Sequence, residues 1–92
     1  MTLIKLMQKI ESLDKESTIY VDKPWTESSK ALVLREPESG ELPSEAKKLG
    51  LSYFLEVSIA RDFLEDWIVS LDTTPTPQEK CLRLIQYATN DA

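Results

Sequence analysis

Apolar side chains recur along residues 2–14 at Leu3, Leu6, Met7, Ile10 and Leu13, a spacing that gathers them on one face of a helix. Thr2 stands where an N-cap belongs, and Lys5, Lys9, Glu11 and Lys15 fall on the wet side. The pattern then changes. Thr18-Ile19-Tyr20-Val21 is β-branched and aromatic, which predicts a strand over residues 17–22. Pro24 has no N–H to give a ladder and presses Lys23 toward extended geometry, so residues 23–29 are predicted as a loop. In Lys30–Arg35 the four central residues are all apolar, as in a strand covered on both faces.

Residues 36–44 hold prolines, a glycine and acids without periodicity, and read as a solvated loop. A short helix is expected over 44–49, with Ser44 as cap and Gly50 just past its end. In the next segment Leu51, Tyr53, Leu55 and Val57 alternate with Ser52, Phe54 and Glu56, which predicts a third strand over 51–57. From Ser58, read as a cap, Ala60, Phe63, Leu64, Trp67, Ile68 and Leu71 follow helical spacing; one continuous helix through 51–71 is the competing reading. After a loop over 72–76, Thr76-Pro77-Gln78-Glu79 combines an N-cap threonine, proline at the first helical position and a glutamate that closes a capping box. Cys81, Leu82, Ile85 and Ala88 are the expected buried stripe of the last helix.

The order is therefore α-β-β-α-β-α-α. It predicts an α+β fold in which a small three-stranded, mainly antiparallel sheet packs against three main helices plus one short helix, with the helices on one face. No internal repeat or long linker divides the chain, so residues 1–92 are expected to form a single compact domain.

Composition narrows the chemistry. Ninety-two residues suffice for one core but not for a core plus a deep enclosed cavity. The absence of histidine removes Ser–His–Asp triads, Cys–His dyads and HExxH zinc sites. The lone Cys81 excludes an intramolecular disulfide and a thiolate zinc cage, and in the predicted helix it reads as a packing residue. Gly40 and Gly50 are too far apart for any glycine-rich phosphate loop. No catalytic residue, cofactor or metal site is expected, and the protein reads as a non-enzyme.

Sixteen acids against eleven bases give a net charge of −5, which argues against nucleic acid and anionic lipid as partners. Ala31–Leu34 is the longest clean apolar run, far short of a membrane span, and Lys5 and Lys9 interrupt any signal-peptide core. A cytoplasmic protein is the expectation. The acidity is concentrated in residues 51–72, where Glu56, Asp62, Glu65, Asp66 and Asp72 are opposed only by Arg61. On a helix, Asp62, Glu65 and Asp66 share one patch opposite Ala60, Leu64, Trp67 and Leu71. The loop acids Glu36, Glu38 and Glu41 form a second concentration. Trp25, in its loop, is either an interface anchor or a lid folded over the edge of the core.

The run Tyr20-Val-Asp-Lys-Pro-Trp25-Thr26, the segment Ala31–Leu34, Ala46 with Leu49-Gly50-Leu51 and Tyr53, then Asp62-Phe63, Asp66 and Tyr87–Ala92 together resemble a family of small bacterial proteins of unknown function. The resemblance covers about residues 18–92 and implies the same strand–strand–helix–strand–helix–helix order. It transfers no binding residues. Small acidic proteins of this kind are also similar to immunity proteins encoded beside bacterial toxins, including those of contact-dependent growth-inhibition systems. That similarity implies a partner: a basic toxin domain, a nuclease first among the candidates, occluded by an acidic surface. The residues expected to supply that surface are Asp62, Glu65, Asp66 and Asp72, with Glu36, Glu38, Glu41 and Trp25 beside them. The alternative is a small adaptor, monomer or weak homodimer, with an apolar docking surface on the sheet face that bears Phe54.

Overall fold

The structure, a computed structural model, describes residues 1–91. All four residues of β1 (Thr18–Val21) are buried, because the strand lies in the middle of an antiparallel sheet of order β2-β1-β3 and is covered on both faces. β2 (Ala31–Leu34) pairs along one edge of β1, with Ile19 opposite Val33 and Tyr20 opposite Leu32. β3 (Ser52–Glu56) pairs along the other. Among the described residues the fold is α+β, three antiparallel strands and four α-helices, in the order read from the sequence.

The N-terminal helix is shorter than expected. α1 (Leu3–Gln8) is capped by Thr2, whose Oγ1 accepts from the Lys5 N–H at 3.4 Å. It stops at Lys9, and a 3₁₀ turn over Ile10–Ser12 takes its place. There the Ser12 hydroxyl and N–H both bond to the Lys9 carbonyl, at 2.7 and 3.0 Å, and hold the tighter winding. Leu3, Leu6, Met7 and Ile10 stay on one buried stripe throughout.

β3 also departs from the expected alternation. Leu55 is opposite Ile19, but Tyr53, not Phe54, is opposite Tyr20, so Phe54 is an extra residue in a bulge. The bulge reverses the phase of the strand. Leu51 and Tyr53 lie on the side of Tyr20, whereas Leu55 and Val57 join Ile19 on the other. Phe54 is fully buried in the main core, so the sheet face bearing Phe54 is no exposed apolar surface.

α3 (Val57–Val69) begins directly where β3 ends, with Glu56 as N-cap; Ser58 does not cap it. The Val57 N–H bonds to the Ser17 carbonyl at 3.0 Å, so the strand-to-helix handover is held by the start of β1. The long-helix reading of 51–71 is thereby excluded. α4 (Pro77–Asp91) starts with the capping box as read: the Glu79 N–H donates to Thr76 Oγ1 at 3.2 Å and the Thr76 N–H to Glu79 Oε1 at 3.0 Å. Its buried stripe is Cys81, Leu84 and Ala88 with Ile85 beside them; Leu82 points to solvent.

The helices do not share one face. α1, α3 and α4 cover the Ile19, Val21 and Leu55 side and build the main core. The short α2 (Ser44–Lys48) lies on the opposite side, where Ala46, Leu51, Leu32 and Leu34 pack around Tyr20. Its N-cap is Pro43 and not Ser44, which is the first helical residue. At its other end Gly50 takes φ +70°, as a left-handed C′ position requires. The Gly50 N–H then bonds to Lys47 O and the Leu51 N–H to Ala46 O, which closes the helix and presses Leu51 onto Ala46. This second layer puts the acidic 36–42 loop over the sheet.

Candidate functional site

Two strands and a loop meet at an open groove of about 540 Å³ on the α2 side of the sheet. Tyr20 of β1, Tyr53 and Glu56 of β3, and Glu36, Gly40, Glu41 and Leu42 of the loop line it. The β3 bulge makes the groove aromatic, since it turns Tyr53 to the same side as Tyr20. Tyr20 is 1% exposed and Tyr53 40%, so one ring is buried beneath the groove while the other stands at its rim. Among the described residues no lysine or arginine lines it, and three carboxylates do.

The Tyr20 hydroxyl is buried without a hydrogen-bond partner. Burial raises its pKa, and the Glu36 carboxylate raises it further. Thr18 lies near enough to moderate that rise but makes no hydrogen bond with it. The Tyr53 phenol is raised in the same way, by burial first and then by Glu56 and Glu36. Both phenols are therefore neutral through the physiological range, and the charge of the groove comes from its glutamates. Among the described residues no three histidine, cysteine or carboxylate groups are placed to hold a metal ion.

Of the residues expected from the sequence, Glu36 and Glu41 come together in this groove, while Glu38 is exposed on the same loop outside its lining. Asp62, Glu65 and Asp66 are exposed on α3, and Asp72 is exposed beyond its end; none of them lines the groove. Glu65 borders a different cleft, together with Arg61, Lys80 and Glu11, where cations dilute the field. By sequence Glu56 counts only toward the acidity of residues 51–72, and Tyr20 and Tyr53 read first as tyrosines at a core rim, with hydroxyls at a binding surface as the other reading. Sequence shows them as strand residues, and only the pairing of β1 with β3 sets them beside the loop acids.

Trp25 folds back onto the core edge. Its ring meets Phe54 edge-to-face at 4.9 Å and 84°, and Lys23 Nζ lies 5.2 Å from its centroid. It also borders an open apolar groove of about 680 Å³ with Ile85 and Ala88. Cys81 is fully buried, and burial pushes its thiol up to about 11, far from the thiolate a nucleophile needs.

Ion pairs are few. Arg35 bonds to Asp14 at 3.0 Å and lies 3.3 Å from Glu16, and these are the only salt bridges among the described residues. No helix among the described residues is long and apolar enough to cross a membrane. Comparisons with models of known protein families, with curated proteins and with solved structures found no match to this chain.

Proposed function

We propose that this protein is an immunity protein: a non-enzymatic inhibitor that binds a basic bacterial toxin domain, a nuclease in the first instance, and covers its phosphate-binding cleft in the cytoplasm. The observation that carries the reading is that exposed carboxylates on α3 and the 36–41 loop make no ion pair among the described residues. Asp62 and Asp66, one turn apart, repel each other by a few tenths of a kcal/mol, and Arg61 makes no salt bridge with either. A basic partner converts that repulsion into attraction and gains in association rate, up to about 10⁸–10⁹ M⁻¹s⁻¹ at low salt.

Size agrees with such a role. A standard interface buries about 800 Å² on each partner, a modest share of the 5765 Å² accessible surface of this chain. The junction of β3 with α3, held by the Val57 N–H on the Ser17 carbonyl, fixes where α3 presents its acids.

The test is protection. Host cells that lack this protein should become sensitive to the toxin encoded beside its gene, and expression of the protein in trans should restore growth. A deletion strain that resists that toxin as well as its parent overturns the reading.

A further inference from the structure

We propose that the groove between β1, β3 and the 36–42 loop is a receptacle for a guanidinium group, presented by an arginine side chain of the partner. The source of the arginine rests on the reading above that the partner is a basic protein; the chemistry of the groove rests on its own residues.

Three features point to this ligand. First, Glu36, Glu41 and Glu56 surround the groove without a cation of this chain among its lining residues, so its field selects positive charge. Second, those carboxylates do not converge as metal ligands do, and the groove is far roomier than a single ion requires. An extended organic cation suits such spacing: guanidinium is planar, carries five donors in a fixed fork and can reach several acceptors at once. Third, the buried Tyr20 hydroxyl has no partner, although such a group ordinarily finds one. Its ring lines the groove beside the carboxylates, so its oxygen can accept an N–H from a group seated there, while the half-exposed Tyr53 ring offers a face for stacking. A lysine ammonium is a compact, strongly hydrated charge and matches this combination less well.

The Tyr20 hydroxyl is therefore the specificity-determining group, and the glutamates provide the attraction. Nα-acetyl-arginine amide, titrated into the whole protein and followed by NMR, should shift the ring resonances of Tyr20 and Tyr53 saturably. Nα-acetyl-lysine amide should bind at least about fivefold more weakly. Tyr20→Phe, which keeps the ring and the packing, should weaken the arginine probe by about tenfold or more, the value of one hydrogen bond from a charged donor. Glu36→Gln with Glu41→Gln, both exposed positions, should weaken it by at least as much. Asp62→Lys with Asp66→Lys should leave it in place.

Equal, unsaturable shifts from both probes, or full binding to the folded Tyr20→Phe protein, overturn the proposal. Failure of the arginine probe alongside intact, salt-sensitive binding of a basic host protein removes the groove assignment alone. A seated probe in a protein that confers no protection removes the immunity reading and leaves the guanidinium site standing.

Discussion

Tyr20 and Tyr53 stand opposite each other across β1 and β3, yet Tyr20 is almost wholly buried while Tyr53 reaches solvent. The pair exists because Phe54 bulges out of the ladder between Tyr53 and Leu55. One extra residue thus does two things: it sends Phe54 into the core and turns Tyr53 toward the acidic loop. Core and groove are coupled through that bulge.

The buried Tyr20 hydroxyl has a measurable consequence for stability. An unpartnered buried hydroxyl costs about 1–3 kcal/mol. Tyr20→Phe removes it without changing the packing, so urea unfolding should show a gain of about 1 kcal/mol. A loss of that size would mean that the hydroxyl is satisfied in solution.

Phe54 is the opposite case. Its ring fills the core and carries the edge-to-face contact with Trp25. Phe54→Ala should cost about 3–5 kcal/mol, a large part of the stability of a domain this size. It should also shift tryptophan emission to the red, as Trp25 loses its partner. A cost below about 1 kcal/mol would show that the bulge residue is not a core residue.

The capping box gives α4 a pH dependence. The hydrogen bond from the Thr76 N–H, and after it the Thr76 side chain, hold the Glu79 carboxyl below its ordinary value of 4.5. The folded state thus binds its proton less readily than the unfolded one, and stability rises with pH across this window. The contribution is fully present above 4.5 and is lost as pH falls toward the lowered folded value. Glu79→Gln keeps an acceptor but no charge, so the acid-side decline should be shallower; Thr76→Ala should instead cost about 1 kcal/mol at neutral pH. Thermal melts of the three proteins between pH 3 and 7 check both, and an unchanged acid slope for Glu79→Gln counts against the box. Asp14 works in the same direction: its pKa is lowered mainly by the Glu16 N–H and then by Arg35.

Local signals carried much of the fold. The Thr76–Glu79 box, the Gly50 stop and the apolar stripe of α1 each act within a few residues, and each stands where periodicity put it. What was illegible was non-local. Alternation gave Tyr53 and Leu55 one face, because nothing in Leu51–Val57 announces that β1 skips Phe54. Leu82 was a different miss, since Cys81, Leu84, Ile85 and Ala88 already follow the i, i+3, i+4, i+7 spacing of one helix face, and that local period places Leu84 in the stripe and Leu82 outside it. The acids of α3 were legible as a charged face from spacing alone. The groove was not, since Glu56 is distant in sequence from the loop acids Glu36 and Glu41 and meets them only through the sheet and the α2 layer.

The central claim is that charge draws a basic partner to this surface. Its most direct measurement is the association rate of the proposed partner, a basic toxin domain, taken by stopped flow against ionic strength. The rate for the native protein should fall steeply as salt rises, because exposed charges are screened over about 10 Å at 0.1 M. Asp62→Lys with Asp66→Lys should slow association strongly at low salt, with the melting temperature little changed. A rate indifferent to salt, or a double variant that associates as fast as the native protein, would contradict the account.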